Sequence, residues 1–235
     1  MKTELIKLSD RLSSIKNFIQ KGAYVIDVGT DHGYLPVYLA QTGLAKHIMA
    51  SDISPSSLES ARRTASKYGV SDKIEFIEAP GLKGIYEEDV DTIVISGLGG
   101  ETVIKILSEA PWIKRCKTNL ILQPQSKIEE LCGFLRTSGF AFINADIVRE
   151  NAKYYIIIHA KAGQSLTDIT PEIELYSILA KNRNPLFTGF LDSLILKNQS
   201  TAMSLKNAGS EKYNIVIIRL NELLNLRKAY DAWIK

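Results

Sequence analysis

The chain has 235 residues, of which 45% are hydrophobic and 23% are charged. This composition is typical of a folded globular protein and excludes the disordered and collagen-like classes. No window approaches the roughly 18 uninterrupted apolar residues of a membrane span, and charges interrupt the first residues where a signal peptide is apolar, so we expect a cytoplasmic protein. The two cysteines form no C-x-x-C arrangement and the three histidines are scattered, which argues against a disulfide scaffold and a structural zinc site.

Charge is distributed unevenly along the chain. The net charge is +3, and residues 1–21 and residues 161–235 each carry +3, so residues 22–160 carry −3. Basic ends of this kind fit contact with phosphates, although an ordinary solvated surface explains the same excess.

The first part of the chain alternates between strand and helix patterns. Apolar residues at steps of three and four predict an amphipathic helix over 2–20. Short apolar runs then alternate with helical stretches, which predicts an α/β fold with a parallel sheet and helices on both faces. Residues 140–148 and 154–161, joined by a short polar connection, predict an antiparallel hairpin that closes the sheet. The predicted parallel strands are 24–28, 47–51, 74–77, 92–95 and 120–122, and the predicted helices between them are 34–41, 56–68, 101–109 and 127–138.

The last part of the chain has no strand pattern. A polar connection precedes Pro171, which suits the first turn of a helix. We expect helices over 171–183, 186–207 and 212–235, and a division into domains 1–163 and 164–235. A helical segment of this size needs another body on which to pack.

The predicted strand ends mark a candidate cofactor site. In open α/β sheets, ligands bind beyond the carboxyl ends of the strands. The first strand is followed by a turn with Asp27, Gly29, Asp31 and Gly33, and the second strand is followed by Asp52. A glycine turn with an acid about 20 residues later is typical of sites where the acid binds ribose hydroxyls, including NAD sites. Carboxylates within the turn repel a pyrophosphate and attract a sulfonium or ammonium group, so the turn favours S-adenosylmethionine over NAD. The alternatives are that Asp27 caps the turn and that Asp31 is a helix N-cap.

Two later loops are candidate substrate sites. The glycines of the segment 96–100 allow close approach of a flat substrate, and the amide of Gln123 has the donor and acceptor pair needed to read a base edge. Either loop could equally be a simple turn.

Five segments together resemble the bacterial tRNA (adenine-22-N1)-methyltransferase family: LSDRL (8–12), DVGTDHGYLP (27–36), TIVISGLGG (92–100), LILQPQ (120–125) and KYYIIIHAKAG (153–163). The resemblance implies a Rossmann-like class I S-adenosylmethionine-dependent methyltransferase sheet, followed by a smaller helical, coiled-coil-like domain that matches only in position and character. The implied reaction methylates N1 of an adenine in tRNA. Many members have Gly-Asp-Gly-Leu after the third strand, whereas this chain has Ala79-Pro80-Gly81-Leu82 and lacks that acid. Glu78 would share a strand face with Pro80 only if the strand continued.

The resemblance, the positions at the strand ends and the chemistry of methyl transfer together predict roles for individual residues. Asp31 would be catalytic, with its carboxylate stabilising the charge that develops on the methylated base. No metal is expected. The cofactor-binding residues would be Arg11, Asp27, Gly29, Asp31, Asp52, Ile53, Gly81, Ser96 and Gly97. The substrate-binding residues would be Tyr34, Leu98, Gly99, Gly100, Gln123 and Pro124.

Substrate class and assembly stay open at this point. The basic ends would hold the tRNA phosphates, and the helical tail would bind RNA, a second protomer or both. The alternatives are a small-molecule methyltransferase with the tail as a lid or dimerisation element, and a non-catalytic binding module with the same fold. An NAD-dependent oxidoreductase is the least favoured, because of Asp31. The lysines and arginine expected to contact tRNA are Lys2, Lys7, Lys16, Lys181, Arg183, Lys197 and Lys206.

Overall fold

The computed structural model describes residues 4–86, 90–115, 118–165 and 167–234. Seven strands and eight α-helices are present in these ranges. The strands are β1 (Ala23–Val28), β2 (Ala45–Asp52), β3 (Glu75–Glu78), β4 (Thr92–Ser96), β5 (Asn119–Gln123), β6 (Phe140–Glu150) and β7 (Lys153–Ala162). The helices are α1 (Asp10–Asn17), α2 (Tyr34–Thr42), α3 (Pro55–Lys67), α4 (Gly100–Ser108), α5 (Ile128–Thr137), α6 (Pro171–Lys181), α7 (Phe187–Asn207) and α8 (Tyr213–Trp233).

The strands form one sheet in the order β3-β2-β1-β4-β5-β7-β6. The first five strands pair in parallel, and β7 is antiparallel to both β5 and β6. The predicted mostly parallel sheet with a terminal antiparallel hairpin is therefore confirmed. Strand order reverses beside β1, which pairs with both β2 and β4, and this switch point opens a crevice beyond the carboxyl ends of these strands.

Alternate residues of the central strands face two helical layers. Val25 and Val94 pack in a core with residues of α1, α2 and α3. Ile26 and Ile93 pack in a second core with residues of α4, α5 and the C-terminal helices. All four side chains are fully buried, which is why the strands read as continuous apolar runs.

The C-terminal helices pack on the second of these cores. Helix α6 contacts α5 and β6, and α7 packs along α8. Tyr176, Phe187 and Leu223 are fully buried in the same cluster as Ile93. The tail therefore has the partner that a helical segment of its size needs, and the domain boundary at residues 163 and 164 stays a prediction.

The predicted helix over 2–20 is wrong at its beginning. Helix α1 begins only at Asp10, because Ser9 is its N-cap and accepts a hydrogen bond from the N–H of Leu12. Residues 4–9 lie outside any helix, and the side chain of Gln41 bonds the backbone of this segment at Ile6 and at residue 4. Ile6 and Leu8 are buried while Leu5 is exposed, so this segment packs with a period of two and not with the helical period.

Three further observations concern the sequence predictions. No helix in the described part of the chain is long and apolar enough to cross a membrane. Within the same ranges, no group of three or more His, Cys, Asp or Glu side chains is arranged to hold a metal ion. Cys132 is free and buried, whereas Cys116 and Lys2 lie outside the described residues.

Candidate active site

A cavity of about 950 Å³ lies at the carboxyl ends of β1, β2, β3 and β4. Its volume suits a small organic ligand. All nine residues predicted to bind the cofactor line it, and so do Tyr34 and Leu98 from the predicted substrate set. The sheet order thus brings together residues that are up to 86 positions apart between Arg11 and Gly97.

The turn after β1 is built from left-handed backbone. Gly29 and Gly33 have φ of 75° and 69°, and Asp31 between them has φ of 49°. A Cβ on Gly33 would lie 2.8 Å from the Cβ of Ala61, so glycine lets α2 approach α3. Gly33 occupies the N-cap of α2, which corrects the alternative reading of Asp31 as the cap. The backbone N–H of Asp31 donates to Oδ2 of Asp52 at 3.2 Å, while the carboxylate of Asp31 is exposed.

Asp27 is a buried carboxyl group at the floor of the cavity. Burial raises the pKa of Asp27 to about 6, with a smaller contribution in the same direction from Asp52. The hydroxyl of Thr30 donates to Oδ2 of Asp27 at 2.8 Å and acts against this shift. No Lys, Arg or His of the described chain forms a salt bridge with Asp27. A buried carboxylate without a cation nearby favours a ligand that supplies one.

Aromatic side chains lie beside Asp31 at the mouth of the cavity. The rings of His32 and Tyr34 stack with centroids 5.6 Å apart, and His32 Nε2 lies 3.7 Å from Oδ2 of Asp31. Tyr34 is 46% exposed, so its ring is accessible from solvent. Sequence reasoning missed His32, although its position directly after Asp31 in the turn placed it there.

The comparisons with known proteins identify the type of domain. A family model described as a methyltransferase domain matches residues 8–158. The chain belongs to this methyltransferase family. The tRNA (adenine(22)-N(1))-methyltransferase of Bacillus subtilis is 28% identical over 214 residues, which are 89% of this chain and 90% of that protein. The crystal structure of the B. subtilis M1A22 tRNA methyltransferase TrmK has a TM-score of 0.83 at 28% identity and covers 94% of this chain and 99% of that one.

A third similar protein was solved with a ligand. It is the Streptococcus pneumoniae protein Sp1610, described as a tRNA (m1A22) methyltransferase and in complex with S-adenosyl-L-methionine. Its TM-score is 0.78 at 29% identity, with 94% of this chain and 100% of that one covered. The family resemblance and the class I fold expected from the sequence motifs are therefore confirmed.

One wall of the methyltransferase cavity comes from the start of α1. The backbone N–H and Nε of Arg11 donate to the carboxylate of Glu150 at 2.8 and 2.7 Å, and its guanidinium lies 4.7 Å from the ring centre of Tyr155. Burial raises the pKa of Glu150, but the hydrogen bonds and charge of Arg11 outweigh it and hold the pKa below its usual value. The folded protein therefore gains stability from this pair above the usual pKa of a glutamate and loses it on acidification.

Gln123 supports the methyltransferase site from beneath, which corrects the prediction that its amide reads a base. Its side chain is fully buried. Oε1 accepts from the N–H of Gly97 and from Nη1 of Arg11, both at 3.2 Å, and Nε2 donates to the carbonyl of Pro124 at 3.0 Å. The amide is buried, does not line the cavity, and is therefore out of reach of a ligand there.

Three other predicted substrate residues do not line the cavity. Pro124 is buried. Gly99 and Gly100 lie at the start of α4, and Gly100 is buried against the loop after β5. A Cβ on Gly100 would lie 2.6 Å from the carbonyl oxygens of both Ser126 and Lys127, so this glycine is required for packing.

The segment after β3 contributes apolar wall. Ala79, Pro80 and Gly81 line the cavity, and a Cβ on Gly81 would lie 2.9 Å from Cγ1 of Ile106. Strand β3 ends at Glu78, whose side chain is exposed and does not line the cavity. The condition under which Glu78 could replace the missing acid is therefore not met.

Residues of α4 and of its C-cap that the sequence reasoning missed form another part of the wall. They are Thr102, Lys105 and Glu109, all exposed, and they recur at steps of three and four. This spacing puts them on one helical face directly after the 96–100 loop, and that pattern was available in the sequence.

Proposed function

We propose that this protein is an S-adenosylmethionine-dependent methyltransferase that methylates N1 of adenine 22 in tRNA. The observation that carries the proposal is the buried, cation-free Asp27, which shares one cavity with Asp52 and Asp31. The similar B. subtilis protein has this activity in its name, and the similar S. pneumoniae protein was solved with this cofactor. Both matches extend over nearly the whole chain.

The residues present fit the cofactor. Asp27 suits a cationic group, since its buried carboxylate accepts a hydrogen bond from Thr30 but forms no salt bridge with any described side chain. Asp52 accepts backbone N–H groups from Asp31 and Ser54 and keeps lone pairs for ribose hydroxyls. Ile53 is 70% exposed at the cavity and gives a flat base an apolar surface.

Methyl transfer to N1 of adenine depends more on the positioning of the base and the methyl group than on proton transfer. S-adenosylmethionine supplies an electrophilic methyl group, and N1 of adenine attacks through an in-plane lone pair, so no strong base is needed. Holding N1, the methyl carbon and the sulfur roughly in line contributes about 7–11 kcal/mol to lowering the activation barrier in favourable cases. The stacked His32 and Tyr34 offer a face to the base, which must be unpaired or flipped out of a stem. The exposed carboxylate of Asp31 stabilises the positive charge that methylation puts on the base.

The test is methyl transfer from labelled S-adenosylmethionine to an unmodified tRNA transcript, with nuclease digestion and mass detection of 1-methyladenosine. A transcript with adenine 22 replaced is the control. If 1-methyladenosine forms on the unmodified transcript and is absent when adenine 22 is replaced, the result supports both the methyl transfer and its position. Turnover of a small molecule without tRNA would instead favour a small-molecule methyltransferase.

Asp31 is tested separately. We expect Asp31→Ala to lose at least tenfold in turnover at saturating tRNA and cofactor, because the charge that forms on the base would lack its counter-charge. Full turnover by purified Asp31→Ala would remove this residue from the mechanism.

Two predictions about assembly belong with this proposal. Contact between the basic ends and tRNA predicts affinity that falls steeply with salt. The homodimer stays a prediction, which sedimentation velocity of the purified protein at micromolar concentration tests.

A further inference from the structure

The turn between β6 and β7 lies at the same edge of the sheet as the cavity. Because β7 runs antiparallel to β5, its first residues lie near the carboxyl end of β5. Asn151 and Ala152 form the turn with φ of 48° and 64°, the left-handed conformation of a tight two-residue hairpin. Lys153 follows and donates to Oε1 of Gln125, in the loop after β5, at 3.3 Å.

A ring joins this turn to the cavity wall. The centre of the Tyr155 ring lies 4.7 Å from Cζ of Arg11 and 5.0 Å from Nζ of Lys153. Arg11 lines the cavity. Lys153 is therefore separated from the cavity wall by a single aromatic side chain.

The two cations beside Tyr155 differ in their partners. The guanidinium of Arg11 is paired with the carboxylate of Glu150, its Nε lying 2.7 Å from Oε2. Lys153 is exposed, contacts a neutral amide and a ring, and forms no salt bridge with any side chain in the described ranges. The positive charge that this surface offers to a ligand is thus that of Lys153.

A second cation of the same turn lies on the opposite face of the hairpin. Arg149 is exposed, and its Cζ is 5.4 Å from the ring centre of Tyr154. Cations interleaved with aromatic rings are typical of surfaces that bind nucleic acid strands. Because cations already occupy positions against these rings, the groups left for RNA are the charges themselves, which suits phosphate and not a stacked base.

We propose that Lys153, held against the ring of Tyr155, binds a backbone phosphate of the tRNA strand that enters the cavity. This inference rests on the proposed function, since it places the RNA strand between the hairpin turn and the mouth at Tyr34. It gives a functional role to Lys153, the first residue of β7.

The experiment measures equilibrium binding of a labelled tRNA transcript at 50 to 200 mM salt, together with KM and kcat for tRNA. The variants are Lys153→Ala and Lys153→Arg. Lys46→Ala is the matched control, because Lys46 is also an exposed lysine over an aromatic ring, 5.4 Å from the ring centre of Tyr24, and lies near the start of β2 at the opposite edge of the sheet. Affinity for S-adenosylmethionine is measured on all variants.

We expect Lys153→Ala to raise Kd and KM for tRNA severalfold at low salt with kcat nearly unchanged. Loss of one phosphate contact lowers the salt slope by about 0.7 to 0.9, so the difference from wild type shrinks about threefold between 50 and 200 mM salt. Lys153→Arg should restore most of the affinity, and Lys46→Ala should behave as wild type.

An unchanged salt slope in Lys153→Ala, or an equal loss in Lys46→Ala, would overturn the inference. Failure of the proposed function gives a separate result: the wild-type protein would form no 1-methyladenosine, whatever tRNA affinity the Lys153 variants have.

Discussion

We predict that the buried carboxyl of Asp27 makes cofactor affinity dependent on pH. Its pKa is raised to about 6, because burial disfavours the charged form. A cationic ligand binds the ionised form, so protonation of Asp27 competes with binding. About nine tenths of the carboxyl is ionised at pH 7 and about one tenth at pH 5, which predicts a roughly tenfold rise in the Kd for S-adenosylmethionine over this interval.

Isothermal titration calorimetry at intervals between pH 5 and pH 7 measures this dependence. An amino group on the ligand stays charged in this window, since an α-amino group titrates at about 7.7 to 8.0. Asp27→Asn should bind weakly at every pH and show a flat profile. Asp72→Asn, at an exposed acid before β3, should keep the wild-type profile. A wild-type Kd that stays constant from pH 7 to pH 5 would refute the assignment of Asp27 as the group that meets the cation.

Three further predictions concern stability, each measured by urea denaturation. Asp27→Asn should stabilise the cofactor-free protein by roughly 2–3 kcal/mol at pH 8 and not at pH 3. The pKa of Asp27 is raised from 3.8 to about 6, so the wild-type protein loses stability as pH rises between these two values. Equal effects of the substitution at both pH values would contradict this. Gly100→Ala should cost about 1–3 kcal/mol because its Cβ meets two carbonyl oxygens at 2.6 Å, whereas Gly133→Ala, with nothing within 4 Å, should be neutral or stabilising. Arg219→Met should lower the free energy of unfolding by about 1–3 kcal/mol at pH 8, because Arg219 forms ion pairs with Glu129 and Glu172. Burial raises the pKa of Glu172, so this loss should shrink as acid protonates Glu172. A loss that does not change with pH would argue against the ion pairs.

The sheet and the residues that line the cavity at the strand ends could be predicted because both depend on short-range patterns. Strands buried on both faces are continuous apolar runs, and the residue that follows each run lies at the ligand edge whatever the tertiary details are. Asp27, Asp52 and Gly97 were located in this way, and all three line the cavity. The rule gives the position of a residue along the strand and nothing about the direction of its side chain.

Gln123 shows the limit of that rule. It follows the apolar run of β5 as Asp52 follows that of β2. Its amide, however, points into the protein and forms hydrogen bonds with Gly97, Arg11 and the carbonyl of Pro124. These partners come from three separate parts of the chain. A sequence pattern lists donors and acceptors, but it does not count how many of them the protein itself satisfies.

The wall formed by α1 depends on contacts that span more than half of the chain. Arg11 bonds Glu150, and the hydroxyl of Ser14 donates to Oδ2 of Asp146 at 2.7 Å. The other oxygen of Asp146 accepts from Nδ2 of Asn184, in the loop after α6, at 2.7 Å. A single strand, β6, thus fixes the helix that carries Arg11 to the cavity and also the start of the tail. The tail and the helix that carries Arg11 are therefore held by hydrogen bonds to the two oxygens of one carboxylate, that of Asp146.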